Sequence, residues 1–293
     1  MLEKPLVSII MPVKNEGIHI KNTIESALNS KTNCPFEIIV VDDLSDDGCC
    51  SFLFQSKDSR IKLVRTSGLG AANARNAGAD AANGEIFIFC DAHVFFEHYW
   101  LEKLIEPLLQ GTADAVNPGI GDSKRPARVG YGIRWNKQLE IEWRKEGKNE
   151  PFPSPLLAGG CLAVTRAAFE DIDGFERGFQ VWGREDEEIS LKLWLFGYRC
   201  YIVPAVKVLH VFRQSSPPFK LSWNHVNYNL LRMAHLHFSK ERIEKCRKLV
   251  KFSQEDKLMA VLEKSDIDLK RVLYEKKRKY DDDWYMETFK IPF

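Results

Sequence analysis

The chain has 293 residues, 44% of them hydrophobic, enough for one large domain with an appendage or for two modest domains. Its 42 Lys+Arg against 41 Asp+Glu leave a formal charge of +1, which excludes both a disordered polyelectrolyte and a general nucleic-acid binder. Seven cysteines without a CxxC pair argue against a disulfide framework or a zinc knuckle, and no apolar run approaches the roughly 20 residues of a membrane span. Reduced thiols in a cytosol are expected, with no signal peptide or membrane anchor.

The runs Val7–Val13, Phe36–Val41, Ile61–Val64 and Glu85–Cys90 are nearly continuously apolar, as parallel strands covered on both faces are. Between them Ile18–Ser30, a weaker stretch at Asp46–Gln55 and the alanine-rich Ala71–Ala82 read as helices, giving the β-α-β rhythm of an open parallel sheet. Ligands of such sheets sit beyond the carboxyl ends of the strands. Those ends read Pro12-Val13-Lys14-Asn15-Glu16, Asp42-Asp43, Arg65 and Asp91-Ala92-His93. From Gly111 to Ser154 an irregular segment is expected, part of a binding face. Helices follow at Thr165–Asp171 and Glu185–Phe196, then strands near Tyr201–Val203 and Val206–Val211. After Ser215-Ser216-Pro217-Pro218 glycine almost vanishes, and Leu221–Tyr280 reads as a helical extension with cationic clusters at Lys240–Lys251 and Lys270–Lys279. A solvated amphipathic helix and a face for anionic lipid are both open for it, and His225, His235 and His237 read as packing or surface groups.

Three clusters carry chemistry. In Asp91-Ala92-His93 alternate residues of an extended segment point the same way, so a carboxylate and an imidazole can share one cation; a capping Asp and a surface His are the plainer alternative. His210 ends another apolar strand with Arg213 three residues on, and an Asp with two His suits Mn²⁺ holding a diphosphate, zinc being second choice. Trp182-Gly183-Arg184-Glu185-Asp186-Glu187-Glu188 opens a helix whose N–H groups favour carboxylates whatever the function, while the Trp-Gly turn offers a platform for a sugar face. The loop Ser67-Gly68-Leu69-Gly70-Ala71-Ala72-Asn73 nearly matches a dinucleotide fingerprint, but it follows the third strand and has Asn73 for the third glycine, which weakens a dehydrogenase reading. Arg75, one turn into the next helix, is open to two roles, binding a diphosphate or anchoring the aspartates.

These residues resemble the GT-A glycosyltransferases of family 2 type, with a second half similar to the polypeptide N-acetylgalactosaminyltransferases. The first resemblance rests on Val7–Glu16, Val40-Val41-Asp42-Asp43 with Asp46-Asp47, and Ala74-Arg75-Asn76-Ala77-Gly78 running into Gly84-Glu85. The second rests on Asp91-Ala92-His93, Leu157-Ala158-Gly159-Gly160, Trp182–Asp186 and His210-Val211-Phe212-Arg213. The resemblance implies an α/β GT-A fold over residues 1–215, with a nucleotide-binding half to about 93, a sugar and acceptor half over 94–215, and a helical extension over 216–293. It implies that Pro12, Val13, Glu16, Asp42, Asp43, Arg75, Asp91 and Arg213 bind the nucleotide, with Asp43 reading uracil. Asp91, His93 and His210 would hold Mn²⁺ or Mg²⁺, and Ala158, Gly159, Gly160 and Trp182 would shape the sugar and acceptor pocket.

The implied activity is transfer of a sugar from a UDP-sugar to an acceptor that the sequence does not identify, polysaccharide, lipid or peptide. The galactosaminyltransferases carry Asn where this chain has Asp186; an ionised Asp there is a candidate general base for inversion, with Glu185 second. A retaining transferase and a non-catalytic sugar-nucleotide-binding protein are the alternatives. The second family's membrane anchor, stem and lectin domain have no counterpart, so the expectation is a bacterial-type cytosolic core. Contact of the extension with the inner membrane face, and oligomerisation, remain open, and no nucleic-acid partner is expected.

Overall fold

The computed structural model describes residues 5–213 and 217–293. Strands β1 (Val7–Val13), β2 (Phe36–Asp43), β3 (Ile61–Thr66) and β4 (Ile86–Cys90) form the parallel half of a mixed sheet, in the spatial order β4-β1-β2-β3. They are joined by helix α1 (His19–Asn29), a short 3₁₀ turn at Ser51–Gln55 and helix α2 (Ala71–Asp80), so the weak helix expected at Asp46–Gln55 shrinks to that turn. The alanines of α2 let it lie close on β1 and β2: a Cβ at Gly78 would collide with Ile10 and Val41.

Strand β5 (Val94–Phe96) and helix α3 (Trp100–Leu109) follow, then β6 (Ala115–Asp122), β7 (Arg125–Gly130), β8 (Ile133–Trp135), β9 (Ile141–Trp143) and β10 (Phe152–Pro153). Half of the segment expected to be irregular therefore lies in strands. Its glycines and prolines obscured them, because Asn117-Pro118-Gly119 interrupts a buried strand with residues of low strand propensity. Strand β11 (Cys161–Thr165) runs antiparallel between β4 and β6, and helix α4 (Arg166–Asp171) starts at Thr165, whose hydroxyl accepts from the Ala168 N–H. After α5 (Glu185–Leu195), the two strands expected near 201–211 are one bulged strand, β12 (Cys200–His210), parallel to β6 with a register shift between Val203 and Lys207.

The boundary expected at 215/216 lies outside the described residues. Beyond it come α6 (Trp223–His237), α7 (Lys240–Leu249), α8 (Glu255–Glu263), α9 (Ile267–Lys277) and α10 (Asp282–Phe289). Buried residues of this extension, among them Leu231, Met233 and Tyr285, belong to the same hydrophobic core as the sheet. Charge ties the two parts as well. Arg232 of α6 is fully buried against Glu176 (2.8 Å), which Lys270 also reaches, while His237 bonds to buried Glu188 of α5 (2.8 Å). On α7 Lys245 and Arg247 pair with carboxylates near the surface, while half-buried Arg242 pairs with buried Asp282. No helix among the described residues is long and apolar enough to cross a membrane.

Candidate active site

The sheet brings the two histidine-bearing segments together by pairing. β5 runs antiparallel to β12 with His210 opposite Val94, and the Val211 N–H donates to the His93 carbonyl. Asp91, at the end of β4, donates its backbone N–H to the carbonyl of Gly160, which leads into β11. Asp91, His93 and His210 thus offer ligand atoms all within 4.8 Å of one another. His210 Nε2 is 3.1 Å and His93 Nε2 4.0 Å from Asp91 Oδ2. With metal–ligand bonds of about 2 Å, neighbouring ligands of one ion stand roughly 3 Å apart, so little movement closes the set.

A second layer fixes the rings. Glu16, buried in the loop after β1, accepts from Arg213 and lies 3.1 Å from His93 Nδ1. A carboxylate only accepts, so in the tautomer with its proton on Nδ1 His93 would bond to Glu16 and leave Nε2 available to an ion, the carboxylate–histidine arrangement of metal sites; the Arg213 guanidinium lies 3.5 Å from the same Nδ1. One hard oxygen and two imidazoles, one ring oriented from behind, fit a divalent cation such as Mn²⁺. Burial alone would raise the Asp91 pKa, but the His210 hydrogen bond and the charges of His210, His93 and Arg75 outweigh it and hold the group ionised.

The Trp-Gly loop lies beside this cluster. Val181 and Arg184 adopt left-handed backbone and Gly183 has φ +106°, a tight reversal that places Glu185 and Asp186 at the first turn of α5. The Val181 carbonyl accepts from the Ala71 N–H, and any Cβ at Gly70 would strike the Val181 backbone, so the loop is locked to the start of α2. Glu185 is turned inward: it accepts from the Gly183 N–H (2.6 Å) and faces Arg75 at 3.5 Å. Asp186 Oδ2 accepts from the Gly159 N–H (2.7 Å), and among the described residues no donor reaches Oδ1. Burial raises the Asp186 carboxyl to about 7; Arg75 opposes this, and the charges of Glu185 and Asp91 add to it. The ionised state expected from the helix N-terminus alone is thus offset by desolvation and crowded acids.

Of the two roles open to Arg75, its contacts fit the anchor: it is buried beneath Asp91 (3.4 Å) and Glu185, with its guanidinium over the Phe175 ring. Asp43, buried, accepts from the Thr66 hydroxyl at the end of β3 and from the Leu69 and Gly70 N–H groups of the loop after it. Asp42 accepts from the Ser45 N–H, Val13 is buried beneath these loops, and Pro12 is half-buried. Gly159 and Gly160 also make room within the protein, since Cβ atoms there would meet the Asp186 carboxylate and His210. Ala158 is held by Asn117, whose side-chain carbonyl accepts from the Ala158 N–H and whose amide donates to the Ala158 and Cys161 carbonyls. Sequence reading missed Asn117; the available signal was a lone amide inside an apolar strand. Trp182 is 47% exposed at the rim, and His225, His235 and His237 lie on α6 apart from the cluster.

The glycosyl transferase family 2 model matches residues 8–173, and the model for the N-terminal domain of galactosyltransferase matches 145–214. Polypeptide N-acetylgalactosaminyltransferase 10 of Rattus norvegicus is 32% identical over 237 residues, 73% of this chain and 39% of its own length. The crystal structure of GalNAc-T7 with UDP, GalNAc and Mn²⁺ superposes with a TM-score of 0.77 at 22% identity, covering 97% of this chain and 56% of that one. The mannosyltransferase PcManGT from Pyrobaculum calidifontis, in complex with GDP-Man and Mn²⁺, gives 0.57 at 18% identity, with 94% and 73% covered. The chain spans about two-fifths of the length of the curated relatives it matches.

Proposed function

The chain belongs to glycosyl transferase family 2, and we propose that it transfers a sugar from a nucleotide diphosphate donor, with Asp91, His93 and His210 as ligands for a divalent cation. The convergence of those three side chains at the carboxyl edge of the sheet carries this reading. When bound, the cation stabilises the negative charge that develops on the diphosphate. Arg213 adds a guanidinium on the same side, and Glu16 orients both it and His93. Residues to about 93 hold the nucleotide and those beyond it the sugar and acceptor. UDP is the proposed nucleotide, supported by the UDP bound to GalNAc-T7; the GDP-Man bound to PcManGT makes the base a point to test.

In the proposed chemistry the bond from the sugar's anomeric carbon to the diphosphate oxygen breaks and the electron pair leaves with the diphosphate. The acceptor oxygen bonds to that carbon from the opposite face, and its proton passes to Asp186. Oδ1 is free to take it, while the Gly159 N–H holds the other oxygen in place. Glu185 is less suited, because both its oxygens face groups of the protein. A second reading, transfer with retention, draws support from the similarity to the polypeptide N-acetylgalactosaminyltransferases.

A panel of UDP-, GDP- and ADP-sugars with and without Mn²⁺, scored by hydrolysis and thermal shift, tests donor and metal together. UDP should stabilise the protein most, and only with the ion. His210→Ala should abolish the Mn²⁺-dependent shift while leaving the unliganded melting temperature within a few degrees. Equal shifts for the three nucleotides refute the uridine preference; full activity of the variant in chelator refutes the metal assignment. Proton NMR of the product separates inversion from retention.

A further inference from the structure

Two asparagines of α6 perform the same task on two different loops. Asn229, fully buried, accepts from the Gln180 N–H and donates to the Gln180 and Gly183 carbonyls, which clamps the turn that displays Trp182. Asn227, also buried, donates to the Lys251 carbonyl and the Ser253 hydroxyl, one residue to either side of Phe252. Phe252 is held there at φ +60°, a left-handed conformation costly for a bulky side chain, and is 80% exposed. Its ring faces that of Trp223 at 5.6 Å, and Trp223 is itself 57% exposed. A folded chain ordinarily buries such residues, and backbone strain retained under an exposed aromatic pair marks a surface built for contact.

The surroundings say what kind of contact. A cavity of about 500 Å³ adjoins the pair, lined by Asn224, Phe252, Ser253, Gln254, Lys257 and Leu258. Two amides, a hydroxyl and the Lys257 ammonium beside an aromatic face, with no carboxylate among them, match a polyhydroxylated ligand: C–H faces lie on the rings while hydroxyls bond to the amides and accept from Lys257. The same helix, α6, also packs against the Trp182-Gly183 turn. A Cβ on Gly183 would lie 3.4 Å from Val226, and Val226 sits one helical turn from Trp223 on α6.

We propose that Trp223 and Phe252, with the adjoining cavity, form an acceptor subsite for an oligosaccharide that runs from Trp182 across Val226 onto the helical extension. The inference rests on the glycosyl-transfer reading only for its word acceptor; saccharide binding is measured without donor or ion. The experiment labels the tryptophans with 5-fluorotryptophan and titrates the full chain with gluco-, galacto- and N-acetylglucosamine tetrasaccharides, then separately with a proline-rich peptide, following ¹⁹F resonances. The Trp223→Phe variant assigns the Trp223 resonance. At least one tetrasaccharide should shift Trp223 saturably, with Phe252→Ala weakening its binding about tenfold and leaving UDP–Mn²⁺ thermal shifts unchanged. Saturable shifts with the peptide alone, no shift of Trp223 with any saccharide, or unaltered affinity in Phe252→Ala would each overturn the subsite. Loss of the UDP–Mn²⁺ response in wild-type protein would instead strike the donor reading and leave the subsite standing.

Discussion

Replacing Gly159 by alanine separates the chemistry of Asp186 from the binding of donor and metal. The backbone at Gly159 is not left-handed, so alanine meets no conformational obstacle there. What it meets is the carboxylate: the new Cβ would lie 2.6 Å from Asp186 Cγ and 2.7 Å from Oδ2, and closer still to Oδ1. Side chain and backbone cannot both stay, so the Gly159 N–H···Oδ2 bond of 2.7 Å is lost and the carboxylate swings away. Overpacking of this kind costs about 1–3 kcal/mol of stability. Misplacing a general base removes about 10²–10⁴-fold in rate. Gly160→Ala is the control, because its Cβ would approach His210 only to 3.3 Å, and it should weaken Mn²⁺ affinity more than the chemical step. The assay is single-turnover transfer at saturating donor and Mn²⁺, with donor affinity measured separately. Gly159→Ala should keep donor affinity within about threefold, and adding Asp186→Asn should slow it little further, since both variants disable one carboxylate. Transfer by Gly159→Ala at the wild-type rate, or fully additive losses in the double variant, would refute the assignment of Asp186 as base.

Other outcomes follow from the same geometry. Carboxyl ¹³C NMR of the metal-free protein should place the Asp186 midpoint near 7, and the rate of transfer should fall as pH drops and the base is protonated; a midpoint near 4 contradicts this. Asp91→Asn should lower that midpoint, since the Asp91 charge is one of its causes. Glu176 is held down to about 2, because Lys192, Lys270 and Arg232 together outweigh its desolvation, so its stabilisation is complete above the ordinary 4.5 and fades as pH falls toward 2. Glu176→Gln should therefore cost about 3 kcal/mol at pH 7 and flatten the acid limb of the denaturation profile; an unchanged limb tells against the buried network. Truncation at residue 216 should yield insoluble protein, because it strips Arg232 from Glu176 and His237 from Glu188; a soluble, UDP-binding truncation would show the extension to be a separable arm.

Much of the sheet was legible because its parallel half announces itself: β1, β2 and β4 are apolar on both faces, and their carboxyl ends carry the acids. The grouping of Asp91, His93 and His210 was readable from alternation and from strand ends. The partnership of Glu16 with His93 and Arg213 was not, since it spans 77 and 197 residues and depends on loops that only the folded sheet brings together. β6 was hidden by its own Asn117-Pro118-Gly119, whose amide is spent on the Ala158 loop. How the extension is seated was not legible, because its surface charge dominates its composition, while the residues that seat it, Arg232 and His237, are single polar positions on the buried side of α6.

The charge around Arg75 sets an order of events in a molecule that works as proposed. With Glu185 and Asp186 ionised and both imidazoles neutral, as cation ligands must be, four carboxylates, Glu16, Asp91, Glu185 and Asp186, face two guanidinium groups among the described residues, Arg75 and Arg213, and Arg75 is sealed beneath them. A bare diphosphate approaching that mouth is repelled, whereas a dication is drawn in and brings the local sum to neutrality. Ion and nucleotide then arrive together or ion first, and raising free nucleotide above the ion concentration should slow association instead of speeding it.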